Sequence, residues 1–292
     1  MHENMSLAGK IAVITGATSG IGFQSLLALA QEDAFVIGVG RDRGRCATAE
    51  SQVKSTYPNA RVAYLVADLS QQRQVRRLAS DIHTVIEHTE KGALDILVNN
   101  AGTYSEKRVL TEDGIELTFA VNHLAPFLLT HELLPLMQRS PMARIITVSS
   151  ASHYNTWINI KKASKPFPYL GLWAYKVSKL ANILFTCELN RRLSGTTVHA
   201  FAVDPGLVNT AIAQKGTGKL SAWVWKHRRE AGVPPDVPAK TILYLSREET
   251  IQHNPECFWR DSHPKTPSRL ARRADIARML WEESERLCQI TQ

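Results

Sequence analysis

Apolar positions fall along this chain in two alternating rhythms. Short β-branched runs at Lys10–Ile14, Ala34–Val39, Arg61–Val66, Leu94–Val98, Arg144–Val148 and Val198–Val203 predict strands, and Glu256–Trp259 predicts a short further one. Between them, Phe23–Gln31, Ala47–Lys54, Gln71–His88, Asp113–Asn122, Ala125–Gln138 and Tyr175–Leu193 carry helical spacing. This alternation predicts the α/β class: a doubly wound Rossmann-type parallel sheet of about seven strands, helices on both faces, right-handed crossovers.

Two stretches break the rhythm. Ser152–Leu172 mixes Lys, Pro and aromatic residues, and Ala211–Pro238 holds Gly216, Gly218, Pro234, Pro235, Trp223 and Trp225. Loops this long are functional or mobile more often than not. Both read as insertions on one domain spanning 1–292, not as linkers between two.

Composition changes the picture little. With 44% hydrophobic and 21% charged residues the chain is ordinary globular material, which excludes collagen-like, disordered and coiled-coil classes. Thirty-five basic against 27 acidic residues give +8. Such a charge permits a nucleic acid or an anionic surface but equally a phosphate-bearing ligand, and no nucleic-acid motif accompanies it. Cys46, Cys187, Cys257 and Cys288 are scattered, so buried thiols in a reducing compartment are expected, not a disulfide framework or zinc cluster. His residues lack metal-ligand spacing, so no metal site is expected. The first ten residues carry no signal-like apolar run and no stretch reaches 18 apolar residues, so a soluble, cytoplasmic protein is expected, with peripheral membrane contact left open.

The chemistry sits at predicted strand ends. The first strand runs into Gly16-Ala17-Thr18-Ser19-Gly20-Ile21-Gly22, a turn whose following helix would aim free N–H groups at a pyrophosphate. After the second strand, Gly40-Arg41-Asp42 places a guanidinium where NAD enzymes usually have an acid. Arg41 suits a 2′-phosphate and therefore NADP(H), although Asp42 could face the ribose instead. Asp68-Leu69 follows the third strand, where the carboxylate serves either an adenine amine or a helix N-terminus. Asn99-Asn100-Ala101-Gly102 follows the fourth, as ligand edge or as plain turn. Ser149-Ser150 follows the fifth, and Tyr175 and Lys179 lie one helical turn apart. A phenol titrates near pH 10, and a neighbouring ammonium lowers that value, so such a Tyr can exchange protons with a carbonyl or alcohol oxygen while a serine hydroxyl holds it.

In order and spacing, the Gly loop, Asn99–Gly102, Asn122, Ser149-Ser150, Tyr175/Lys179 and Asp204-Pro205-Gly206 resemble the short-chain dehydrogenase/reductase family over essentially the whole chain. Val121–Thr130, Ser178–Phe185, Arg41-Asp42, Cys257–Asp261 and Leu280–Glu282 resemble its retinol dehydrogenase-like branch, which blends into light-dependent protochlorophyllide reductases. The resemblance implies hydride transfer between nicotinamide and a substrate carbon, with Tyr175 as proton donor or acceptor and Lys179 on the nicotinamide ribose. It implies that Ser150, in preference to Ser149, orients the substrate oxygen, and that Asn122 holds a relay water. Gly16, Thr18, Ser19, Gly20, Ile21, Gly22, Arg41, Asp68, Leu69, Asn99, Ala101 and Gly102 would hold the nucleotide, and Pro205, Gly206 and Thr210 the nicotinamide end. The expected substrate is a lipophilic aldehyde or ketone, retinal-like or otherwise, and its alcohol. An NADPH-binding sensor acting through protein partners, and double-bond reduction, stand as alternatives.

The gap from Ser150 to Tyr175 exceeds that of many family members, which gives 152–172 a place at the substrate mouth. The resemblance places a substrate loop at 211–238, read either as an apolar lid or as a short packed helix. It also places the family's homodimer surface on Asp113–Gln138 and Tyr175–Leu193. Many members of the branch begin with a hydrophobic anchor that is not found here, which argues against a membrane-borne retinoid. Lys265, Arg269, Arg272 and Arg273 read as a solvated surface.

Overall fold

The structure is a computed structural model and describes residues 6–209, 232–254 and 256–290. Thr210 and most of the 211–238 loop, including Trp223 and Trp225, lie outside the described residues.

Strand alternation builds the molecule. In β1 (Ile11–Thr15), Ile11 and Val13 face one apolar core while Ala12 and Ile14 face another. The same division runs through β2 (Phe35–Gly40), β4 (Ile96–Asn99), β5 (Ala143–Val148) and β6 (Val198–Val203). With β3 (Val62–Val66), β7 (Phe258–Arg260) and β8 (His263–Pro264) they form one sheet in the order β3-β2-β1-β4-β5-β6-β7-β8. Every pairing is parallel except β7 with β8. The eighth strand exceeds the expected seven. Its two residues follow a turn with positive φ at Asp261 and Ser262, and two residues are too short to show a period.

Helices α1 (Gly20–Gln31) and α2 (Arg43–Thr56) cover one face. Helices α3 (Gln72–Glu87), α5 (Ala125–Gln138) and α7 (Gly171–Arg192) cover the other. Short α4 (Leu117–Phe119) passes through a wide π-helical turn, Ala120–Leu124, into α5, and α6 (Ile160–Ala163) is a single turn within the 152–172 insertion. Helices α8 (Asp236–Arg247) and α9 (Ala274–Leu287) complete the two layers, α8 beside α1 and α9 beside α7.

The helix expected over Asp113–Asn122 is corrected at its start. Gly114 sits at φ +69, and the Glu116 carboxylate accepts from Thr118 N and Phe119 N, so the helix begins only at Leu117. The cysteine expectation is also corrected. Cys187 on α7 and Cys257 before β7 are brought together as a disulfide, while Cys46 and Cys288 remain free and buried. Burial pushes the Cys288 thiol up to about 12.

Candidate active site

Because β1 to β6 are parallel, the turns that follow them gather at one edge. The order 3-2-1-4-5-6 places the reversal between β1 and β4, where open α/β sheets bind ligands.

At that crevice the Gly loop is held from below. Asn100 Nδ2 donates to Thr15 O at 2.8 Å, and Thr15 Oγ1 accepts from Asn100 N and Ala101 N at 3.0 Å each. A Cβ on Gly22 would strike the Asn100 amide and the Gly16 carbonyl, so glycine is required there. Gly16 turns the chain at φ +68. Ser19, the N-cap of α1, makes no side-chain cap bond and instead accepts from Arg45 Nη2 at 3.2 Å. The first-turn N–H groups of α1 thus receive no side-chain cap and point at the crevice, a fit for a pyrophosphate.

At the end of β2, a Cβ on Gly40 would meet the Thr18 methyl and the Cys46 sulfur at 2.5 Å, so this position is closed to a side chain. The Asp42 carboxylate accepts from Arg45 N at 2.8 Å and caps α2. Arg41 is exposed beside it. Asp68 is not the N-cap of α3, which is Gln71; its carboxylate accepts from Ser70 N at 3.0 Å. Leu69 packs on the core. The Asn99 side chain turns inward and donates to Thr130 Oγ1 at 3.1 Å, so only its backbone faces the edge. Ala101 and Gly102 continue along that edge, half-buried.

The serines after β5 diverge. Ser149 is buried and donates to Lys179 O at 2.7 Å. Ser150 is half-buried and its Oγ accepts from Ser152 N at 3.1 Å, which leaves its own proton to donate outward. His153 fixes this corner: Nδ1–H donates to Ser150 O at 2.8 Å, because Nε2 accepts from Ser268 N at 3.1 Å. Burial lowers its pKa and favours that neutral tautomer.

On α7 the Lys179 ammonium lies 5.6 Å from the centroid of the Tyr175 ring, and the edge of Tyr104 packs on the same ring. Lys179 Nζ donates to Val148 O at 2.9 Å, its one hydrogen bond among the described residues. Burial alone pulls its pKa down to about 8. Asn122 lies in the π-helical turn, a feature frequent at functional sites. Its Nδ2 donates to Thr103 O and Ser178 Oγ at 3.0 Å each, and Oδ1 accepts from Thr103 N at 2.7 Å. One lone pair of Oδ1 is left for a water.

After β6, the buried Asp204 carboxylate accepts from Ala151 N and Gly206 N and pairs with Lys265 Nζ at 2.6 Å and Arg260 at 3.6 Å. It ties the turn after Ser150 to Pro205-Gly206. Lys265 is therefore not solely a solvated charge. Thr15, Arg45, Tyr104 and His153 were not singled out in the sequence, where Asn100 was read only as ligand edge or turn and Lys265 only as a solvated charge. Only Asn100 and Thr15 carried a signal, by adjoining the turns they brace.

Among the described residues no group of three or more metal-ligating side chains comes together, and no helix is long and apolar enough to cross a membrane.

The profile of the short chain dehydrogenase family matches residues 10–220. Retinol dehydrogenase 11 of Mus musculus is 34% identical over 97% of this chain and 87% of its own length. Retinol dehydrogenase 13 of Homo sapiens is 33% identical over 97% and 85%. A solved protein from Mycobacterium paratuberculosis superposes with a TM-score of 0.77 at 31% identity, covering 97% of this chain and 95% of that one.

Proposed function

The chain belongs to the short-chain dehydrogenase/reductase family, in its retinol dehydrogenase-like branch, and on that premise we propose that it is an NADP(H)-dependent enzyme with Tyr175 as general acid and base. The family binds a nicotinamide cofactor and interconverts carbonyls and alcohols. The observation that carries the finer reading is the convergence of Ser150, Tyr175, Lys179 and Asn122 at one sheet edge beside the Gly loop.

The residues present fit the cofactor. The uncapped first turn of α1, with the Gly loop drawn tight against Asn100 and Ala101 at Gly16 and Gly22, would hold a pyrophosphate. Arg41 supports a 2′-phosphate, with Arg45 at 3.2 Å from Ser19 adding a second guanidinium, while the Asp42 carboxylate is engaged in its cap. When bound, nicotinamide supplies or accepts the hydride. The Ser150 hydroxyl orients the substrate oxygen, and Tyr175 protonates it in reduction. The Lys179 ammonium keeps two protons for a ribose diol and stabilises the phenolate left on Tyr175. Asn122 fixes the wide turn and offers a relay water its remaining lone pair. Thr210 is kept in the proposed nicotinamide site with Pro205 and Gly206.

The substrate proposed is a lipophilic aldehyde or ketone. Initial rates of NADPH and NADH oxidation with retinal, medium-chain aldehydes, aromatic ketones and steroids test the assignment, with Tyr175→Phe alongside. NADPH should be strongly preferred, and Tyr175→Phe should lower turnover about 100- to 10,000-fold while NADPH binding persists. Equal rates with NADH would overturn the reading of Arg41. Unchanged turnover in the Phe variant would overturn that of Tyr175. NADPH binding with no turnover of any compound would favour the sensor.

A further inference from the structure

We propose that the 152–172 insertion and the adjoining 107–110 loop form a docking surface for an anionic phospholipid bilayer. Exposed large apolar side chains are few on the described surface, and most of them concentrate here. Phe167 is 81% exposed, Leu170 68% and Trp157 63%, with Leu172, Leu110 and Val109 between 51% and 43%. Scattered apolar side chains on a surface need no explanation, whereas a concentration on two joined segments does.

The two segments are stitched together. Tyr169 Oη donates to Ser105 O at 2.8 Å and to Glu116 Oε1 at 3.1 Å, and Glu116 N donates to Ser164 O at 2.7 Å. Gly171 lies so close to Ser105 and Glu106 that a Cβ there would collide with the backbone. The surface is therefore presented by a held scaffold, not by a free loop. The Trp157 indole also rests on Trp173, with ring centroids 5.4 Å apart.

Charge selects the partner. Between 152 and 176 the chain carries Lys161, Lys162, Lys165 and Lys176 and no Asp or Glu. Lys107 and Arg108 add two exposed cations, against Glu106 as the one acid between 103 and 111. The nearby acids Glu112 and Asp113 are engaged elsewhere, with Arg73 and with Gln72 N on α3. Aromatic and aliphatic side chains among six cations, with Glu106 as the one acid on the two segments, suit the headgroup–acyl boundary of an anionic membrane. The surface runs into Trp173 and Tyr175 at the start of α7, so docking would set the mouth of the active site against the bilayer. The proposal concerns a surface and holds whichever reaction Tyr175 serves.

Co-sedimentation of the full chain with vesicles of phosphatidylcholine, alone and mixed with phosphatidylserine, tests it. The expected result is binding to the mixed vesicles only, weakened by salt. Lys161→Glu/Lys162→Glu should weaken it at least ~20-fold. Trp157→Ser/Phe167→Ser should abolish it. Lys54→Glu/Lys240→Glu, on helices of the opposite layer, should bind like the parent. NADPH binding, read separately, is the folding control for each variant and also isolates failure of the enzyme reading from failure of this one. Absence of vesicle binding, equal binding to both vesicle types, or binding unchanged in the two test variants would overturn the proposal. So would self-association that is lost in the Trp157/Phe167 variant without any vesicle binding, which would make the surface a contact between copies of the chain.

Discussion

At the scale of single residues, Lys179 shows a site held at the expense of stability. Its ammonium is buried, with one carbonyl partner and a pKa pulled down to about 8. An unfolded chain would keep it near 10.4. The folded state therefore binds fewer protons between those values, and stability rises with pH across that window. Below pH 8 the full penalty applies, on the order of 3 kcal/mol. Lys179→Met removes the charge and keeps the length. It should be more stable than the parent at pH 7, raising the melting midpoint by a few degrees, with the gap closing as pH rises from 8 toward 10. Turnover should be lost in the same variant, and in the parent kcat/KM for reduction should fall above pH 8 as the ammonium is lost. Urea midpoints of both proteins across this range check the sign. A variant less stable than the parent at pH 7 would mean the ammonium is better satisfied than its single carbonyl bond implies. Tyr175 and Lys179 were legible in the sequence because their relation is local, four residues on one helix. The directions of Asn99 and Asp42 were not, because each is decided by a partner: Thr130 from a distant helix for the first, the N-terminus of α2 for the second.

At the scale of elements, the strands were readable because fully buried parallel strands are continuous apolar runs, and five of the first six were placed to within a residue at each end. Helices α8 and α9 were missed: α8 lies in the β6-to-β7 crossover behind a stretch whose sequence breaks the rhythm, and α9 follows the last strand and crosses to no other. The wide turn at Ala120–Leu124 left no mark in the pattern, yet it places Asn122. What sets its entry is Glu116, a fully buried carboxylate that accepts from two backbone N–H groups and the Tyr169 hydroxyl. Burial, and then the Glu116 charge, raise the Tyr169 phenol above its usual range, so that proton stays in place as a donor. One side chain thus caps α4 and fastens the insertion. Glu116→Ala should cost about 2–4 kcal/mol, visible in the urea midpoint, because it removes a cap and leaves buried donors unpaired. It should also open the insertion to trypsin at Lys161 and Lys162. Unchanged cleavage there would show that the insertion is held by its other contacts alone.

At the scale of the whole molecule, the helical layer that carries the site is joined through one imidazole. His123 is fully buried in the turn before α5 among Phe119, Phe127 and Phe185, and lies 3.0 Å from Ser284 on α9. Ser284 Oγ already donates to Leu280 O, so it can only accept from His123 Nε2–H, which fixes the neutral tautomer. Burial drives the pKa of His123 down to about 3, against about 6.5 in an unfolded chain. Between those values the unfolded state binds the extra proton, so stability present at neutral pH is lost as pH falls through the window. The loss approaches about 5 kcal/mol at its lower end, much of the stability of an ordinary domain. The buried His153, shifted in the same direction, adds to it. Because His123 touches α5, α7 and α9, its protonation should open that layer as a unit. His123→Gln retains a donor for Ser284 without a group that titrates near neutrality. It should be less stable than the parent at pH 7 by about 1–3 kcal/mol, yet lose far less stability between pH 6.5 and 4. The two stability curves, measured by urea unfolding at stepped pH, should therefore converge toward acid. Parallel curves would place the acid lability of this protein in groups other than His123.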